Sequence, residues 1–264
     1  MLIERIVAPN PGPMTLTGTN TYLVGDGAGN LAVIDPGPDD LPGHIDAVLR
    51  RARELGRITS VVVTHRHLDH LPAAIPICRE TGATLAGHPD LPGVQRPLAD
   101  NTSAFDGLVA LHTFGHTRDS VSLWAAADHT LFTGDVVLGT GTAVLDDARG
   151  ALTDYMASLE RLLILQPRTI YPGHGPIVGN GVDKLTEYRE HRRLRVQQVL
   201  DALAARGPST ADDLASAIYT DVPAHLLPMA ARNVRANLEM LEARHQVQAA
   251  ADARWTLTSH GSAP

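Results

Sequence analysis

His65, His67, Asp69 and His70 stand within six residues, directly behind the apolar, β-branched run Val61-Val62-Val63. Imidazole and carboxylate are the side chains that hold zinc, manganese or iron. The run reads as a buried strand, and residues two apart in extended chain face the same way. His65 and His67 therefore converge just past the strand end, and Asp69 and His70 follow a turn later from another side. Three further candidates each follow an apolar run and sit beside a glycine: His116 in Phe114-Gly115-His116-Thr117, Asp135 in Phe132-Thr133-Gly134-Asp135, and His174 in Tyr171-Pro172-Gly173-His174. Glycine permits tight turns and close backbone approach. Five histidines and two aspartates exceed the needs of one tetrahedral ion and suit two ions sharing a carboxylate. Such a pair activates water and polarises an electrophile, which is hydrolytic chemistry. Asp69 and Asp135, able to orient water as well as bind metal, are the catalytic candidates.

These residues need strand ends to hold them. Strands are expected at 2–7, 19–25, 31–34, 84–87, 108–114, 121–126, 130–134 and 169–172, besides the run before His65. Helices are expected at 41–55, 71–81 and 153–165, the last capped by Thr153 or Asp154. The proline-rich stretch 89–106 reads as a lid or as an ordinary long connection. Residues 138–150 form a loop directly after Asp135. Asp35, in Asp35-Pro36-Gly37, has two readings: a partner that fixes the tautomer of a ligand histidine, or a turn aspartate before proline. His88 reads as a surface or loop residue, His112 as structural and His129 as part of a hairpin turn. His191, His225, His245 and His260 lack metal-like spacing.

A long helical pattern covers 182–205 and carries Arg189, Arg192, Arg193 and Arg195, so the chain divides near residue 180 into segments 1–180 and 181–264. A capped helix at 210–219, a second at 226–244 and a weak alternation over 246–257 follow, which is the order of a winged helix. The second helix sets Arg232, Arg235 and Arg244 against Glu239 and Glu242. That is a solvated face rather than a DNA reader, and points to packing, dimerisation or covering of a substrate.

The composition, 44% hydrophobic and 19% charged over 264 residues, is that of a globular chain with a substantial core. Its single cysteine, Cys78, precludes an intrachain disulfide and reads as packing. No apolar run reaches the length of a membrane span, and the N-terminus lacks the layout of a secretory signal, so a cytoplasmic location is expected. The net charge is −7, with the whole excess of acid in the first 180 residues, which argues against DNA as a partner.

The pattern His65-x-His67-x-Asp69-His70, followed by His116, Asp135 and His174, resembles the metallo-β-lactamase superfamily in order and spacing. The resemblance implies an αββα sandwich with a dinuclear metal site on one edge, followed here by a small winged-helix-like α+β domain. It implies one zinc held by His65, His67 and His116 and a second held by Asp69, His70 and His174. Asp135 and a hydroxide would bridge the two, and Mn2+ or Fe2+ are alternatives. His70 and Asp135 bring the chain nearer to glyoxalase II and ribonuclease Z than to the true β-lactamases. The stretches Asn10 to Val24, Leu138 to Thr142, Asp154 to Leu159 and Tyr171 to Pro176 are similar to the β-lactamase-like protein 2 group. That likeness implies a C-terminal winged-helix-like domain. It also implies one of two substrates: single-stranded RNA, cut by an endoribonuclease, which the likeness across both segments favours, or an acyl thioester, as on acyl carrier protein. Thr19, Asn20, Thr140, Thr142 and Arg118 are the substrate-facing candidates. Thr19 or Asn20 equally fits a loop-stabilising role. Arg189, Arg192 and Arg193, with Arg118, are the arginines best placed for phosphates.

Overall fold

The computed structural model describes residues 1–258; His260 lies outside them. Two sheets form the centre. The first runs in chain order through β1 (Leu2–Val7), β2 (Asn20–Gly25), β3 (Asn30–Ile34), β4 (Arg57–Val63), β5 (Thr84–Gly87) and β6 (Arg96–Pro97). Its first three strands are antiparallel neighbours and the pairs from β3 to β6 are parallel. Parallel neighbours need crossovers, and α1 (Pro42–Leu55) and α2 (Ala74–Thr81) supply two of them. The second sheet has the order β11 (Thr169–Pro172), β10 (Thr130–Gly134), β9 (Val121–Ala125), β8 (Leu108–His112), β7 (Thr102–Phe105), with α3 (Ala151–Ile164) joining the parallel pair β10 and β11.

The period-2 alternation of the strands sorts their side chains into layers. In β4, Val61 and Val63 pack with Val48 and Leu49 of α1 and Ile77 of α2, while Val62 faces the other sheet. In the second sheet Val121, Leu123 and Phe132 meet Val62 and Tyr22 between the sheets, and Trp124 and Leu131 pack outward against Tyr155 and Leu159 of α3. The result is an αββα sandwich. Aromatics are scarce, but Tyr22, Phe132 and Tyr171 are gathered at one place, with ring centroids 5.0 to 5.5 Å apart.

The 26-residue α4 (Gly181–Arg206) belongs to two cores. Leu185 and Tyr188 pack against α3, and Val199 and Leu203 pack with α5 (Ala211–Ile218), α6 (Leu227–Ala243) and the hairpin β12 (Val247–Ala249)–β13 (Trp255–Leu257). A capping box starts α5: the Asp213 amide donates to Thr210 Oγ1, and the Thr210 amide donates to the Asp213 carboxylate. The second helix of the winged-helix order, α6, lies against the sandwich. It sends Met240 into the α3 layer and pairs Arg232 with Asp147 and Glu242 with Arg149.

Three expectations need correction. The helix expected at 153–165 starts at Ala151, led in by Gly150 at φ +87° with no side-chain cap, and the Asp154 amide donates to Gly150 O. The helix expected from 71 starts at Ala74, because the amides of His70 and Leu71 close a turn onto His67 O. The stretch 89–106 is not a lid: it supplies β6 and β7, buries Leu91, Leu98 and Ala104, and carries the chain from one sheet to the other.

Candidate active site

Strands β3, β4 and β5 run the same way, as do β8, β10 and β11, the first two of these through their shared antiparallel neighbour β9. The carboxyl ends of β3, β4, β10 and β11 lead directly to Asp35, to Thr64 and His65, to Asp135, and to His174 by way of Gly173; His116 follows the end of β8. Asn20, on β2, stitches the edges together: its backbone N–H donates to Gly173 O, and Nδ2 donates to Pro172 O and Gly175 O.

All seven residues named for metal binding come together in two adjoining groups. His65 Nε2 and His116 Nε2 lie 2.9 and 3.1 Å from His67 Nδ1, and Asp135 Oδ2 is 4.0 and 3.7 Å from the first two. In the second group His70 Nε2 and His174 Nε2 are 3.2 Å apart, and Asp69 Oδ2 is 3.4 and 3.0 Å from them. Asp135 reaches this group too, at 3.5 Å from His70 Nε2 and 3.3 Å from His174 Nε2. Two ligands about 2.0–2.1 Å from one tetrahedral ion stand roughly 3.3 Å apart, so these spacings match ligand edges.

The surrounding hydrogen bonds turn the free nitrogens inward. His116 Nδ1 meets Val144 O at 2.7 Å, His174 Nδ1 meets Gly18 O at 3.2 Å and His70 Nδ1 meets Asp35 Oδ2 at 2.9 Å. Thr64 Oγ1 gives its proton to Asp35 Oδ2, which leaves it to accept from His65 Nδ1 at 3.0 Å. Each of these rings thereby turns its Nε2 to the centre, the orientation a cation requires. Asp35, buried and held at φ +50°, takes the ring-partner role and also accepts from the Thr64 backbone N–H. The turn reading does not account for those contacts.

Electrostatics point the same way. Burial opposes charge on Asp135, yet the rings of His70, His174, His116 and His65 hold its carboxyl well below the usual range. Asp69, opposed by burial as well, is lowered by His174 and His70. In return the two carboxylates push His174 up to about 9 against the effect of burial, and draw His70 upward with help from Asp35. Burial, then His70 and His116, lower His65. The Oδ1 atom of Asp135 is buried without a hydrogen-bond partner among the described residues. A buried carboxylate oxygen with no donor, inside a ring of inward nitrogens, suits divalent cations.

Glycine makes the crowding possible. A Cβ on Gly173 would stand 2.4 Å from Asp135 Oδ1 and 2.8 Å from His70 Cε1. Gly134, at φ +48°, passes so close to Thr64 that a Cβ would lie 2.4 Å from its hydroxyl.

The substrate-facing candidates divide. Thr140 and Thr142 are exposed and line a cavity of about 420 Å³ that reaches His116 and Asp135. Thr19 and Asn20 are buried and do not line that cavity. Thr19 Oγ1 is 3.4 Å from Asp69 Oδ2, and Asn20 braces the His174 loop. Arg118 is exposed and absent from the cavity wall. His88 is buried, not a surface residue, and packs against the rings of His112 and Phe114. His129 sits in the β9–β10 turn, and Cys78 is packing, its thiol pushed up by burial to about 11. Sequence reasoning missed the far wall of the cavity, formed by His191 and Arg195 of α4, Asn233 and Asn237 of α6, and Tyr219. Its one sequence signal was polar residues paired at i, i+4 on two helices.

Comparison with known proteins agrees with this geometry. The model of the metallo-β-lactamase superfamily matches residues 14–107 and 88–174, and that of the β-lactamase-associated winged helix domain matches 210–255. A β-lactamase-like protein 2 homolog of Drosophila melanogaster is 37% identical over 91% of this chain and 87% of its own length. An atrochrysone carboxyl ACP thioesterase of Aspergillus fumigatus is 34% identical over 84% of this chain and 75% of its own. In fold, the chain superimposes with a TM-score of 0.78 on a metallo-β-lactamase family protein from Thermus thermophilus, at 21% identity, over 97% of this chain and 98% of the other. The chain belongs to the metallo-β-lactamase superfamily of hydrolases, alongside the β-lactamase-like protein 2 homologues, and carries a β-lactamase-associated winged helix domain over residues 210–255.

Proposed function

We propose that the chain is a dinuclear, zinc-dependent hydrolase acting on acyl thioesters. The observation that carries the substrate class is the cavity. It opens from Asp135 and His116 between walls that include Met14, Leu16, Leu138, Ala143 and Met229, and its size suits an acyl group. The thioesterase relative supports the same reading. In this reading residues 1–180 hold the chemistry and 181–264 close the cavity.

His65, His67, His116 and Asp135 would hold one ion, and Asp69, His70 and His174 the other, with Asp135 shared. When bound, the ions act as Lewis acids that acidify water and polarise the thioester carbonyl. The protein supplies the rest. Asp35, Thr64 and the carbonyls of Val144 and Gly18 fix the ring tautomers. The side chain of Asp69 is 26% exposed against 11% for Asp135, so Asp69 is the more open to water while Asp135 is the one that lines the cavity, and both would orient the attacking water. The apolar walls keep other water from the acyl chain.

A single-stranded RNA substrate asks instead for a track of free cations. Three of the four arginines named for that task are engaged, and the fourth, Arg118, is exposed away from the cavity wall. Arg189 and Arg193 pair with Glu160 and Glu190, and Arg192 is buried, donating to Ala143 O. The test is to offer one metal-loaded preparation both acyl thioesters and labelled single-stranded RNA. Thioester turnover removed by a chelator and restored by zinc is the expected result. RNA cleavage without thioester turnover would overturn the reading.

A further inference from the structure

The far end of the cavity holds a cation that the fold leaves unneutralised. Four arginines of α4 lie within seven residues. Arg189 and Arg193 have carboxylate partners 2.9 to 3.4 Å away, and Arg192 donates to Ala143 O with its guanidinium over the Tyr155 ring. Arg195 differs. It lines the cavity, lies 4.7 Å over the Tyr219 ring and donates to Gln198 Oε1 at 2.8 Å. No carboxylate pairs with it among the described residues, and the only acid lining the cavity is Asp135, at the metal end. A part-buried guanidinium stacked on an aromatic ring is pre-organised to receive an oxyanion.

A second observation points to a ligand at the same end. His191, one turn from Arg195, and Asn237, on the facing helix α6, both line the cavity. His191 Nδ1 and Asn237 Oδ1 are buried without hydrogen-bond partners among the described residues. Asn237 is 5% exposed, and its Nδ2 is spent on Asn233 O. Buried polar atoms are rarely left unpaired, and a wall on which Arg195, His191 and Asn237 stand beside Asn233 and Tyr219 makes a recognition site, not a packing seam.

We propose that this recess binds an anionic group of the substrate, with Arg195 as the residue that selects it, His191 beside it, and Asn237 Oδ1 accepting from a neighbouring N–H or O–H of the substrate. The inference deepens the thioester reading and rests on it for the reaction. A thioester can bring an oxyanion from either side: a terminal carboxylate on the acyl chain, or a phosphate on the carrier of the thiol. Both meet the same guanidinium chemistry.

The experiment uses the full-length, metal-loaded protein and three thioesters. Pentanoyl-N-acetylcysteamine is the neutral reference, glutaryl-N-acetylcysteamine places a carboxylate on the acyl end, and pentanoyl-4′-phosphopantetheine places a phosphate on the thiol end. Wild type is expected to prefer one anionic member in kcat/KM, and which one names the end that Arg195 reads. Arg195→Gln should lower the ratio of anionic to neutral kcat/KM by about 10- to 100-fold, the worth of a charge-assisted hydrogen bond. Arg195→Lys should restore part of it. Calorimetric binding of glutaramate against pentanamide, and of phosphopantetheine against N-acetylcysteamine, gives a readout independent of turnover. Arg195-dependent binding of an anionic member with no thioester hydrolysis would sink the hydrolase reading and keep the anion site. Absence of any anionic preference in wild type, or a preference that persists in Arg195→Gln, overturns the inference.

Discussion

At the scale of single residues, the centre depends on Asp135 more than on any other carboxylate, because it alone reaches both groups of ligands. Asp135→Ala should remove most hydrolysis, a loss of several kcal/mol in transition-state stabilisation, as expected when metal charge is misplaced. Asp35 acts through His70 and Thr64, so Asp35→Ala should cost about 10- to 100-fold in activity or metal affinity. Steady-state kinetics beside metal analysis checks both, and a fully active Asp135 variant would refute the sharing role. Gly173 supplies a test of crowding. Gly173→Ala would push a methyl group onto Asp135 Oδ1 and His70, and is expected to lower retained metal on dialysis while the fold persists by circular dichroism. The ligand set was legible because metal chemistry restricts it to few residue types at strand ends. The bracing by Asn20 and the burial of Thr19 were not, since they depend on a contact with the His174 loop about 150 residues away along the chain.

At the scale of elements, the strands were legible from alternation and from the β-branched run Val61 to Val63, and the sandwich followed from them. Boundaries that turn chemistry decides were less so. Gly150 starts α3 by adopting a left-handed conformation, and a histidine-rich turn delays α2. Least legible was the seating of α6. Its charges suggested a solvated face, yet Arg232 and Glu242 reach partners on the sandwich, and Met240 is 2% exposed in the α3 layer. Such contacts have no local periodicity. Exposed ion pairs contribute little, so Met240 is the better probe. Met240→Ala should cost about 2–5 kcal/mol, read by denaturant unfolding, and a cost near zero would contradict a packed seat for α6.

At the scale of the whole molecule, the acid excess of the sandwich and the pairing of Arg189 and Arg193 with carboxylates leave no continuous basic track along the cavity among the described residues. Thioester hydrolysis should therefore respond weakly to salt. A substrate held by six or more phosphate contacts would lose roughly 10³-fold or more in affinity between 50 and 200 mM salt, and KM titrated over that range distinguishes the two. Among the described residues no helix is long and apolar enough to cross a membrane. The claim on which every other step depends is that seven side chains from strand ends of two sheets form one centre for two ions. The direct measurement is elemental analysis of active protein purified without chelator. The account predicts close to two equivalents of metal per chain, chiefly zinc; a value near one in fully active protein would contradict it.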